Sequence, residues 1–107
     1  VLQGPNNVTT ETTAPAFLWQ SVLGAQGYAI EVSTNENFSQ VMYSNNELTE
    51  NQFSGIPTLG NNRTYYWRVA ALDAEGNMLG DWSATGQFTT PSGESVIILQ
   101  LVDEPEN

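Results

Sequence analysis

The sequence predicts an all-β domain, a seven-stranded antiparallel β-sandwich closed around one aromatic core. Three observations carry this. Aromatic or aliphatic residues recur at every second position in Phe17-Trp19 (with Leu18 and Gln20 between and after), in Tyr28-Ile30-Val32 and in Tyr65-Trp67-Val69-Ala71, the period of half-buried strands. No stretch sustains the 3.6-residue period of an amphipathic helix. Between the alternating stretches lie clusters of Gly, Asn and Asp, spaced about ten residues apart, as short strands folding back and forth require.

The elements follow in order. A first strand is expected near 7–12 and a second near 14–20, carrying Trp19. Gly24-Ala25-Gln26-Gly27 supplies the turn into a third strand near 28–33. Asn35-Glu36-Asn37 turns the chain into a fourth near 41–44, and Asn45-Asn46 ends it. A short fifth strand is placed near 51–54. Gly60-Asn61-Asn62 leads into the longest strand, 64–72. Asp73-Ala74-Glu75-Gly76-Asn77 turns it back toward a last strand near 85–90. The buried face then holds Phe17, Trp19, Tyr28, Ile30, Val32, Phe53, Leu59, Tyr65, Trp67, Val69 and Phe88. At about 1.5–3 kcal/mol per buried large apolar side chain, these positions suffice for one core without disulfides or metal.

Composition narrows the function. The chain has 107 residues, the size of a single domain. Only 13% are charged, about half the usual share. Their place is taken by 11 Asn, 11 Thr and 8 Ser. Twelve acids against two arginines leave a net charge of -10. Two arginines cannot build the basic surface that phosphate backbones demand, so no nucleic-acid partner is expected. Without His or Cys the chain cannot assemble a His/Cys zinc site, a Ser-His-Asp triad or a Cys-His pair. No apolar run approaches the ~18 residues of a membrane span, so no membrane insertion is expected. Neither a cofactor nor a metal nor a catalytic residue is expected, and the chain is read as not an enzyme. Asn7-Val8-Thr9, Asn37-Phe38-Ser39 and Asn62-Arg63-Thr64 match the N-glycosylation acceptor, which matters only in a source that glycosylates asparagine.

The order of motifs resembles a fibronectin type III domain. Trp19 follows a Pro- and Thr-rich opening, Gly27-Tyr28 begins the third strand, and Leu59 stands six residues before Tyr65. Trp82-Ser83 and Phe88-Thr89-Thr90 are similar to the family's last strand. The Leu59-to-Tyr65 spacing resembles the tyrosine corner, in which a phenol bonds back to backbone at the preceding turn. The phrases 64–69 and 33–39 look most like bacterial members. The resemblance implies a seven-stranded immunoglobulin-like β-sandwich with its termini at opposite ends. It covers roughly residues 5–90. The chain contains neither Arg-Gly-Asp nor a paired Trp-Ser-x-Trp-Ser, so neither integrin adhesion nor cytokine reception carries over.

The domain is therefore set at 5–91, with 1–4 as an inter-domain linker and 92–107 as an acidic linker or the start of a following module. Pro105-Glu106-Asn107 echoes Pro5-Asn6-Asn7 at about one module's distance, which points to a tandem array. The apolar stretch 96–102 would otherwise add to a sheet edge.

Few side chains carry binding chemistry. Trp82 is expected to cover Arg68 as a cation–π stack, with sugar stacking as its functional alternative. Tyr66 and Tyr43 are placed on the outer face of the sheet. Glu31 is expected to face Arg68 as a surface pair, and Arg63 to be solvated. Asp73-Ala74-Glu75-Gly76-Asn77 resembles part of a calcium loop but reads better as a hairpin turn, and Asp103-Glu104 is a weaker candidate for calcium.

The function expected is a non-catalytic structural or interaction module that spaces or presents neighbouring domains of the same polypeptide, in a larger secreted or cell-surface (extracytoplasmic) protein. Its contacts would be those domains, other surface proteins or polysaccharide. The alternative is a carbohydrate-binding accessory module of a polysaccharide-acting enzyme.

Overall fold

The structure, a computed structural model, describes residues 2–92. Their strands in chain order are β1 (Leu2–Gly4), β2 (Val8–Thr9), β3 (Phe17–Trp19), β4 (Gly27–Ser33), β5 (Val41–Leu48), β6 (Gln52–Phe53), β7 (Thr64–Leu72) and β8 (Gly86–Thr89). A three-stranded sheet in the order β1-β3-β6 packs on a five-stranded sheet in the order β2-β8-β7-β4-β5. This is the expected sandwich, with eight short strands where seven were expected.

The extra strand comes from the first thirty residues. Leu2–Gly4, placed in a linker by the sequence reading, is β1 and pairs with β3, Leu2 opposite Trp19. The chain then crosses to the other sheet, where Val8 and Thr9 pair parallel with Phe88 and Thr89. Parallel pairing here departs from an all-antiparallel scheme, because one initial segment serves both sheets. The strand expected at 7–12 stops at Thr9. Thr10 Oγ1 donates to the carbonyl of Thr12 (2.8 Å), and Thr12 Oγ1 accepts from the Ala14 N–H (2.7 Å). Such local side-chain bonds offer the backbone an alternative to a ladder. The strand expected at 41–44 runs on to Leu48 through Asn45-Asn46, because β4 continues to supply a partner.

The inner faces close as the period of two requires. Phe17, Trp19, Tyr28, Ile30, Val32, Leu59, Tyr65, Trp67, Val69 and Phe88 form the core, together with Ile56. Phe53 is only partly buried, because β6 is the open edge of the smaller sheet. At the centre Trp19 and Trp67 meet with ring centroids 6.3 Å apart, and Phe17 tilts against Trp67 at 4.8 Å. Aromatic pairs in such tilted geometry add about 0.5–1.5 kcal/mol each beyond their buried area. The Trp67 indole N–H donates to the Pro5 carbonyl (2.8 Å), tying the crossing segment to the core. Trp19 Nε1 is buried without a hydrogen-bond partner among the described residues, and its ring stands edge-on to Tyr28 at 5.6 Å.

The tyrosine corner is present. The Gly60 N–H donates to Tyr65 Oη (2.8 Å). Thr90, 1% exposed, completes it: its hydroxyl donates to the Gly60 carbonyl (2.6 Å) and accepts from the Arg63 N–H (3.0 Å). The turn before β7 is thus pinned to both the strand it feeds and the residue after β8. Residues 93–107, including the proposed following module and Asp103-Glu104, lie outside the described residues.

Candidate functional site

With the inner faces used for the core, the side chains expected to carry binding chemistry are sought on the outer face of the five-stranded sheet. β4 and β7 pair in register, Glu31 opposite Arg68. Since Tyr65, Trp67 and Val69 face inward, Tyr66, Arg68, Ala70 and Leu72 face outward, beside Ala29, Glu31 and Ser33 of β4. Ala29, Ala70 and Leu72 are nevertheless buried. The reason is the excursion between β7 and β8, which folds back along β7. The Leu79 N–H donates to the Ala71 carbonyl (2.9 Å) and the Ser83 N–H to the Val69 carbonyl (2.8 Å). Asp73 shapes its first turn, Oδ1 accepting from the N–H groups of Glu75 and Asn77 (both 2.9 Å), while Gly76 takes φ +87°. The carboxylate read as a calcium-loop fragment therefore caps a hairpin turn.

Arg68 is the hub. Its Nε and Nη2 both donate to Glu31 Oε1, at 3.0 and 2.7 Å. Its guanidinium lies 4.4 Å from the Trp82 ring centre and 4.2 Å from the Phe38 ring centre. The expected Trp82 stack and Glu31 pair are both present. The second ring was not expected. Phe38 sits in a turn cluster, off any strand period, and the only sequence signal is an aromatic among polar turn residues. It is buried with φ +58°, a conformation costly for a bulky side chain. Backbone strain of this kind costs about 1–3 kcal/mol and persists only where the surroundings enforce it. Here a network does so: the Ser33 hydroxyl donates to the Gln40 carbonyl (3.0 Å), Asn35 Nδ2 donates to Ser39 Oγ (2.6 Å), and the Phe38 N–H donates to the Asn35 carbonyl (3.2 Å). The Glu31–Arg68 side chains are 24% and 26% exposed, so solvent screening holds the charge pair itself to about 1 kcal/mol or less. Its effect is geometric: both groups are fixed.

Beside this cluster runs an open groove of about 540 Å³. β4 supplies Ala29 and Glu31 to it, the β7–β8 excursion supplies Met78 and Trp82, and β5 supplies Ser44, Asn46 and Glu47. The β5 side depends on a register shift. Tyr28 pairs with Leu48 but Ile30 pairs with Asn45, so β5 carries one residue more than β4 across this step. The bulge sets Asn46 and Glu47 together opposite the small side chain of Ala29. Bulges of this kind are common where a strand aims side chains at a ligand.

The other expected site residues scatter. Tyr66 is on the outer face, lining a separate cleft of about 320 Å³ with Asn6, Glu36 and Gln87. Tyr43 is not there. It pairs opposite Val32, stacks on Phe53 at 5.6 Å and packs against the core. Register decides this: the residue opposite an inward Val32 also points inward. Arg63 is exposed in the turn before β7, as expected.

The fold and this surface define an immunoglobulin-like module of the fibronectin type III kind. The chain belongs to the family described as Rha78A-like, N-terminal immunoglobulin domain, which matches residues 3–92. Among solved structures it is similar to an α-L-rhamnosidase of Streptomyces avermitilis complexed with L-rhamnose, with a TM-score of 0.61 and 18% identity. That match covers 80% of this chain and 9% of the rhamnosidase, so the chain spans under a tenth of that protein. An Fn3-like protein from Clostridium thermocellum aligns at TM-score 0.49 and 18% identity, over 85% of this chain and 90% of that one. No curated protein matches.

Proposed function

We propose that this chain is a non-catalytic accessory module of a larger extracytoplasmic protein that acts on rhamnosides. The observation that carries this is the family match over residues 3–92, a family described by an N-terminal position in Rha78A-like proteins. The likeness to a small part of an α-L-rhamnosidase supports the same setting. The partners are then the neighbouring domains of the same polypeptide. The geometry favours binding and presentation over chemistry. Glu31 is paired with Arg68 through Oε1, Asp73 Oδ1 caps its own turn, and the groove offers hydrogen-bonding groups beside an indole. The high acidity keeps such a module soluble and self-repelling.

The test is excision. In the protein that contains this chain, removing residues 1–92 should leave turnover of a small aryl α-L-rhamnoside within about twofold, and the isolated chain should hydrolyse none. Hydrolysis by the isolated chain, or collapse of turnover with the remaining domains still folded, would overturn the reading.

A further inference from the structure

We propose that the groove between β5 and the β7–β8 excursion is a binding site for a neutral saccharide unit. The inference deepens the reading above and rests on it for the choice of sugar. Charge selects the ligand class. The groove residues Glu31 and Glu47 and a net charge of -10 disfavour an anion. A strongly held cation is disfavoured because Glu31 is already neutralised by Arg68. What is left is a neutral ligand rich in hydroxyls.

The lining suits that ligand. Both Arg68 hydrogen bonds end on Glu31 Oε1, and among the described residues Oε2 accepts none. This oxygen is an acceptor held in place in advance, because its carboxylate is bonded to a guanidinium that two aromatic rings cover. A fixed acceptor loses little freedom when it binds, which is where weak sugar affinity is usually lost. Asn46 and Glu47, brought together by the β5 bulge, line the same groove with an amide and a second carboxylate. Leu72, Met78 and Trp82 give the groove an apolar side. A sugar has the same division, hydroxyls at its rim and C–H groups on its face. A 6-deoxy sugar adds a methyl group that the apolar side accommodates. The volume of about 540 Å³ lies within the usual range of about 300–1,000 Å³ for small-ligand sites.

The experiment is a titration of the ¹⁵N-labelled chain, followed by NMR, with L-rhamnose, with D-glucose and with calcium chloride. The expected result is a saturable shift at Ala29, Glu31, Asn46, Glu47 and the Trp82 indole N–H with L-rhamnose, at roughly millimolar affinity. Asn46→Ala and Trp82→Phe should each weaken it by about tenfold, with the remaining spectrum unchanged. Groove shifts with D-glucose but not with L-rhamnose would uphold the saccharide site and contradict the rhamnoside setting. Shifts with calcium alone, or none in the groove with either sugar, would overturn the site. The accessory reading would then still stand or fall on excision.

Discussion

Gly86 lies directly against the indole of Trp67: a β-carbon added at Gly86 would stand 2.5 Å from Trp67 Nε1 and 2.8 Å from Leu2 Cδ1. Trp67 cannot yield, since its N–H is bonded to the Pro5 carbonyl and its ring is 0% exposed. β8 starts with glycine because the core indole, the crossing segment and β1 all converge there. Gly86→Ala should therefore destabilise the domain by about 1–3 kcal/mol, the usual cost of overpacking a filled core. Urea unfolding measures it, and an unchanged midpoint would show that the indole has room to move.

Tyr65→Phe removes one oxygen from the core and strands the Gly60 N–H it accepts from. The loss should be about 1–2 kcal/mol, within the range for a partly buried donor left unpaired. The same variant should also raise hydrogen exchange at Gly60 and Arg63, since only Thr90 and the Asn62 N–H bond to the Pro91 carbonyl would then tie the turn to the end of β8.

Trp82→Ala takes away one ring over Arg68 and one side of the groove. A decrease of about 1–2 kcal/mol is expected, combining a partly desolvated cation–π contact with lost packing. A double-mutant cycle with Arg68→Met isolates the stack, and a coupling of about 0.5–1 kcal/mol is predicted. Coupling indistinguishable from zero would mean that the two side chains are neighbours without mutual stabilisation.

Glu31→Gln keeps the shape of the hub and removes its charge pairing. With both side chains about a quarter exposed, the change should cost no more than about 1 kcal/mol and shrink as salt is added. A loss several times larger would mean that the pair is far less screened than its exposure indicates.

The core was legible because period two and register carry the same information. Once Phe17, Tyr28 and Tyr65 are assigned inward, Trp19, Ile30, Val32, Trp67 and Val69 follow. Ile56 escaped because it belongs to a loop between Gly55 and Pro57, where no period operates. Leu2–Gly4 escaped for a related reason. One leucine and a glycine have no strand pattern of their own, and pairing with β3 makes them one. The site was legible only in part. Arg68 and Glu31 could be placed on a shared face by counting along strands, and Trp82 was expected over Arg68 because it follows the turn after β7. Phe38 could not, since a φ of +58° in a turn depends on a side-chain network. Nor could the groove, since it arises from a one-residue bulge in β5 and from where the β7–β8 excursion folds back.

The two sheets close on an inner face sealed from water, and the proposed saccharide groove lies outside it. Trp82→Phe leaves two indoles, Trp19 and Trp67, which are 1% and 0% exposed. Acrylamide quenching of that variant's fluorescence tests the claim most directly. Emission should be blue-shifted and nearly unquenched until the protein unfolds. Red-shifted emission with strong quenching in the native state would place an indole in water and contradict the account.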